Sequence, residues 1–170
     1  MKIKIEFSSG RIKVYLDTNM ILDIFINHAK ALKRKENALL PKKYEFMLAN
    51  RERIEFITSF ITKAEVIREL ISAYGTSYND ILPVWDKFIA SLDCKYVKSF
   101  EFDEKLPEIA GKSNMRLRTM FNFLHIIIAI SEGAYFISGD KPAVEKSKEI
   151  NFYDKVVTYE EFRKMMGGDI

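Results

Sequence analysis

Arg11-Ile12-Lys13-Val14-Tyr15-Leu16-Asp17-Thr18-Asn19-Met20-Ile21-Leu22-Asp23-Ile24-Phe25 is the stretch on which the fold turns. Residues 11–16 alternate charged and apolar side chains and end in a Val-Tyr-Leu run, the pattern of a strand entering a core. Asp17 ends that strand. Thr18 and Asn19 are good helix N-caps, and Met20-Ile21-Leu22 with Ile24-Phe25 makes the apolar side of a short helix. The unit is strand, polar turn, helix.

Outward from this unit the same alternation continues. On the N-terminal side Lys2 to Phe7 alternates as well, and Ser8-Ser9-Gly10 is a turn signal, so an N-terminal hairpin or an extra strand is expected. On the C-terminal side a second helix, broken near Pro41, is predicted over much of residues 30–52. Ile54 to Thr58 follows as a short apolar strand, then Thr62 as an N-cap with Glu65 at capping-box spacing, and a helix to about Tyr74. Gly75-Thr76-Ser77 is a turn. Ile81 to Ser91 reads as a helix with Pro83 in its first turn, Lys95 to Ser99 as a strand, and Glu101 to Ala110 as a helix interrupted at Pro107. After a loop at residues 111–114, Arg116 to Glu132 is the strongest helix in the chain, stopped by Gly133. Tyr135 to Ser138 is a buried-type strand, Pro142 to Lys148 a helix, the region near Val156 a strand, and Tyr159 to Met166 a closing helix. Strands alternating with helices predict an α/β fold of three layers, α/β/α, around a central, mainly parallel sheet. A single domain over residues 1–170, with its core at about 11–158, accommodates all of this.

Composition narrows the function. The 170 residues are 48% hydrophobic and 30% charged, enough to bury a core without disulfides or a structural metal. The lone Cys94 cannot form an internal disulfide, and with only His28 and His125 an imidazole cage is out of reach, so a bound metal is expected to be held mainly by oxygen. No apolar run is long enough for a membrane span, and the N-terminus lacks the pattern of a secretory signal, so a cytoplasmic protein is expected. The net charge of +3 is small but uneven: residues 28–55 carry eight basic and four acidic residues.

In parallel-sheet folds ligands bind at the carboxyl ends of the strands, so polar residues directly after apolar strands are the candidates for chemistry. Three acids qualify: Asp17, Glu65 and Asp140. If their strands are neighbours, three carboxylates meet at one rim, an arrangement that makes sense chiefly around a divalent cation. Each also has a purely structural use, Asp17 and Glu65 at helix starts and Asp140 in the Gly139-Asp140-Lys141-Pro142 turn.

Val14 to Asp23 resembles the opening strand and Asp-Thr-Asn motif of PIN-domain ribonucleases, a family with many toxin nucleases. Thr58 to Val66 is similar to that family's second motif, with Glu65 as its acid. Tyr135-Phe136-Ile137-Ser138-Gly139-Asp140-Lys141 resembles its last motif. The resemblance spans about Arg11 to Thr158. It implies a metal-dependent endoribonuclease acting on single-stranded RNA, with Mg2+ or Mn2+ on Asp17, Glu65 and Asp140, and with Thr18, Asn19 and Ser138 in support. It also implies an antitoxin partner in a toxin–antitoxin pair, and a homodimer. One position departs from the pattern. Where the family has an Asp on its long helix, this chain has Asn122, whose amide can bind a metal or its water but adds no charge.

His125 lies on the face of Asn122 and reads best as a core histidine bonded to a backbone carbonyl. Lys30, Lys33, Arg34, Lys42 and Lys43 are candidates to guide an RNA backbone, or else form a solvated helix face among interleaved glutamates. Tyr44, Phe46, Tyr74 and Tyr78 suit base stacking or core packing. The competing function is a PIN-like module that binds RNA or protein without cutting, motivated by Asn122. A phosphatase-like domain with Asp17 as nucleophile and Lys141 as its lysine is a third reading.

Overall fold

Strand and helix alternate along the computed structural model, which describes residues 10–99, 107 and 117–167, with side chains from residue 121 onward in the last of these stretches. Among the described residues the order is β1 (Ile12–Leu16), α1 (Thr18–Arg34), α2 (Lys42–Ala49), β2 (Ile54–Ser59), α3 (Phe60–Tyr74), α4 (Tyr78–Ser91) and β3 (Lys95–Val97). It continues with α5 (Leu117–Glu132), β4 (Tyr135–Ser138), α6 (Lys141–Glu149), β5 (Val156–Thr158) and α7 (Tyr159–Met165). The strands form one all-parallel sheet in the order β3-β2-β1-β4-β5. The expected strand at residues 2–7, the loop at 111–114 and, apart from Pro107, which is helical, the helix at 101–110 lie outside the described residues.

Because side chains on a strand alternate faces, each strand feeds two cores. Val14, Leu16, Phe56, Ile137 and Val157 pack on one side against α1, α2, α3, α4 and α7. Tyr15, Ile57, Phe136 and Val156 pack on the other against α5 and α6. Three layers result, as the strand and helix alternation predicts. Among the described residues no helix is long and apolar enough to cross a membrane.

Helix starts depart from the sequence reading in an instructive way. Asp17, not Thr18 or Asn19, caps α1, its Oδ1 accepting the Thr18 amide at 2.7 Å. The helix is not short: it runs 17 residues to Arg34 and stops at Lys35, in the left-handed region at φ 56°. The predicted second helix over 30–52 is therefore two pieces separated by residues 35–41, since α1 takes its first part and α2 its last. Ser59, not Thr62, caps α3, accepting the Thr62 amide at 3.5 Å, so Glu65 lies in the second turn and makes no capping box. In α4 the start at Tyr78 puts Pro83 in the second turn rather than the first, and β3 ends at Val97 rather than Ser99. The capping box instead sits at α7, between Thr158 and Glu161.

The sheet order has one consequence for function. β1 is central, with β2 and β4 as its two neighbours, so the loops leaving β1, β2 and β4 open side by side at one end of the sheet. The chain moves outward from β1 to β2 and β3, then crosses to the opposite side for β4 and β5. That reversal leaves a crevice beside β1 where ligands of such folds bind.

Packing in the larger core is dominated by a ring cluster in which Phe25 lies 5.6 Å from Trp85 and 5.6 Å from Phe88, centroid to centroid. Phe88→Ala should cost about 3–5 kcal/mol, the usual range for a buried ring, read by urea unfolding with Trp85, the only tryptophan, as fluorophore. A loss under about 1 kcal/mol would mean the cluster does not carry the packing of this layer.

Candidate functional site

Asp17 is the last residue before α1, at the carboxyl end of the central strand, and is only 2% exposed. Both of its oxygens accept hydrogen bonds, and Oδ1 has room for a further partner. Oδ1 accepts the Thr18 amide, while Oδ2 accepts the Ser138 hydroxyl at 2.6 Å and the Asn19 amide group at 3.3 Å. Ser138 closes β4 and its Oγ also accepts the Asp140 amide at 3.0 Å, so one hydroxyl ties the ends of β1 and β4 together.

Glu65 approaches from α3. The Thr18 hydroxyl donates to Glu65 Oε2, and the same oxygen lies 2.9 Å from His125 Nε2. His125, 1% exposed on α5, is 3.9 Å from Asp17 Oδ1 through Nε2 and 2.7 Å from the Tyr15 hydroxyl through Nδ1. Tyr15 in turn is 2.7 Å from Ser59 Oγ and 3.3 Å from Thr62 Oγ1. The expected bond from His125 to a backbone carbonyl is replaced by these two side-chain partners. An apolar helix with one histidine looks like core from its sequence. Only the depth of Tyr15 on the adjoining strand reveals that its ring faces polar groups.

One ligand atom each from Asp17, Glu65 and His125 lies within 4.8 Å of the other two. Asp140 is not one of the three; it is the N-cap of α6, its Oδ1 accepting the Ala143 amide at 3.1 Å. Asn122 is half-buried one turn before His125, and among the described residues its side chain hydrogen-bonds none of the three. Thr18 bonds to Glu65, and Asn19 and Ser138 bond to Asp17.

The basic candidates do not converge on the site. Lys43 is near it, donating to the Asn19 carbonyl at 3.3 Å and pairing with Asp23 at 3.2 Å. Lys42 is exposed on α2, whereas Lys30, Lys33 and Arg34 lie in the last turns of α1. At 1.5 Å per residue Lys30 is about 18 Å along the helix from Thr18, and its ammonium lies over the Tyr74 ring. Among the aromatic candidates Tyr44 is buried against Ser91, Phe46 meets Tyr159 edge-on, and Tyr78 is exposed.

Electrostatically the two acids are pushed apart. Burial raises the Asp17 carboxyl, and the Glu65 charge adds to this, while His125, Ser138 and the Thr18 amide oppose it without prevailing. Glu65 is also raised by burial, but the hydrogen bond and charge of His125, the Thr18 hydroxyl and the Arg68 charge together hold it below the usual range. Among the described residues neither carboxylate has a lysine or arginine within ion-pair distance; His125 is their shared basic neighbour.

A parallel three-layer α/β protein with carboxylates and an imidazole converging where the central strand ends is the class that fold and site define. No family model matches the chain, and no curated protein matches it. It is similar to the crystal structure of PAE2754 from Pyrobaculum aerophilum, with a TM-score of 0.51 at 12% identity over 94% of this chain and 98% of that one. That likeness concerns the fold.

Asp17 sets a pH dependence. A carboxyl raised on folding contributes stability that is full below its unfolded pKa and is lost as pH rises through the folded value. Asp17→Asn removes this titration, so the thermal midpoint of the variant relative to wild type should rise between about pH 2.5, where the wild-type group is protonated in both states, and about pH 8 in the EDTA-treated protein, on top of a pH-independent loss from replacing one acceptor oxygen. Melting curves across that range check it, and a difference between variant and wild type that falls as pH rises would contradict the sign.

Proposed function

We propose that this chain is a metal-dependent endoribonuclease of the PIN type, hydrolysing phosphodiester bonds of single-stranded RNA with Mg2+ or Mn2+ bound between Asp17 and Glu65. The observation that carries the reading is a carboxylate 2% exposed at the end of the central strand, joined there by a second acid, with no lysine or arginine paired to either among the described residues. Removing a charge from water costs several kcal/mol unless a counter-charge compensates. The donor set fits a divalent cation, with one carboxylate oxygen of Asp17 and one of Glu65 within 4.8 Å of each other. When bound, such a cation lowers the pKa of water and offsets charge on the phosphodiester.

The protein's own residues do the rest. Glu65, held below the usual range, stays ionised at neutral pH and keeps its charge for the cation. Thr18 fixes its Oε2, and Ser138 and Asn19 fix Asp17 Oδ2, so both acids are oriented before substrate arrives. Lys43, near the opening through its bond to the Asn19 carbonyl, suits a phosphate of the RNA backbone. In the reaction a water oxygen bonds to phosphorus, one P–O ester bond breaks, and the leaving oxygen takes up the proton the water gives. The products are a phosphomonoester end and a hydroxyl end.

The RNA substrate rests on the motifs around Asp17, Glu65 and Asp140. A second reading, a PIN-like module that binds RNA without cutting, is favoured by Asn122, which brings an amide where a carboxylate would add charge. Cleavage of a labelled single-stranded RNA with Mn2+ separates them. Wild type should cut, and Asp17→Asn should be slower by at least about 100-fold, as expected when a charge that anchors the cation is lost. Asn122→Asp should be faster than wild type. An inert wild type beside a cutting Asn122→Asp would favour the binding module, and equal rates for wild type and Asp17→Asn would refute the site.

A further inference from the structure

We infer that His125 Nε2 is itself a ligand of the bound cation, so that the centre is a mixed nitrogen and oxygen site suited to Mn2+ rather than an all-oxygen site suited to Mg2+. This rests on the reading above that the cluster holds a divalent cation, and it adds the donor that the sequence assigned to the core. Three observations carry it.

The first is reach. Nε2 lies 2.9 Å from Glu65 Oε2 and 3.9 Å from Asp17 Oδ1. Donors at about 2.0–2.2 Å from one ion are about 3–4 Å from each other at angles between 90° and 180°. Both separations fall in or at the edge of that range.

The second is the support behind the ring. A histidine that ligates through Nε2 must carry its proton on Nδ1 and needs an acceptor there. Tyr15 Oη, 2.7 Å away, can accept that proton once a cation takes the place of the Nε2 proton that Glu65 Oε2 accepts without it, and the Tyr15 hydroxyl can then turn to Ser59 Oγ at 2.7 Å. Tyr15 is fully buried on β1 and cannot turn away, so the imidazole is held with Nε2 toward the acids.

The third is the helix it comes from. Among the described residues, α5 brings no carboxylate to the cluster. Asn122 lies on the same face one turn earlier and bonds none of its members, so Nε2 is the group through which this helix reaches the acids. Carboxylate oxygens suit Mg2+ and Mn2+ alike, whereas an imidazole favours the transition ion.

Mn2+ added alone to the purified protein tests this by two spectroscopic readings. Loss of the free-ion signal in electron paramagnetic resonance gives the binding curve, and pulsed measurements detect nitrogen bonded to the ion. We expect a nitrogen coupling that changes its pattern when histidine alone is labelled with 15N, and that persists in His28→Asn, which leaves His125 as the only histidine. Tyr15→Phe should weaken Mn2+ about 10-fold, the low end for losing an outer-shell partner. If Mn2+ binds, and Asp17→Asn abolishes the binding, but no histidine nitrogen couples, the inference falls and the cation reading stands. If wild type does not bind Mn2+ at all, both fall.

Discussion

A carboxylate held out of water at the end of the central strand is the constraint on which the rest of the site depends. Asp17 cannot be buried cheaply, and every polar group around it answers that cost: the Thr18 amide, the Asn19 side chain and the Ser138 hydroxyl each donate to it. These bonds also hold the fold together, because Ser138 belongs to β4 and Thr18 to α1. A hydrogen bond to an ionised group in a low-dielectric setting is stronger than its counterpart in water. The same contacts therefore fix strand ends and orient a functional group.

The second acid brings in the other face of the sheet. Glu65 comes from α3, in the layer with α1, while His125 comes from α5 in the opposite layer. Tyr15 connects them from within the sheet, its ring among the α5 residues and its hydroxyl within reach of Ser59, Thr62 and His125. Both helical layers are thus joined through polar groups where the sheet ends. A network spanning all three layers leaves little freedom for the acids to spread apart, although their charges repel.

The basic surface is organised differently from what its sequence suggests. Residues 28–55 look like one positive stretch, but α1 and the segment before α2 carry its parts to opposite ends of the layer. Lys33 and Arg34 complement the carboxyl end of the α1 dipole, where cations are stabilising, and Lys30 lies over the Tyr74 ring. Lys43 returns to the start of α1 and joins the opening of the site. Proximity in the chain is a poor guide here because a helix of 17 residues separates its two ends by about 25 Å.

What could be read from the chain follows from local rules. The period-2 and period-3.6 patterns locate the described strands and helices, and the convention that parallel sheets bind ligands at strand ends singles out Asp17, Glu65 and Asp140. Helix starts were less legible, since Asp17-Thr18-Asn19 and Ser59 to Thr62 each offer several side chains able to cap, and which one does depends on where the strand stops. The adjacency of β2, β1 and β4 is a matter of tertiary order, which no local pattern encodes. So is His125. Its neighbours in sequence are apolar, and its partners, Tyr15 and Glu65, are 110 and 60 residues away. Local sequence determines which backbone conformations and which buried faces are favourable. The meeting of a strand tyrosine, a helix glutamate and a distant histidine exists only once the layers have closed, because hydrogen-bond partners are chosen by distance in space.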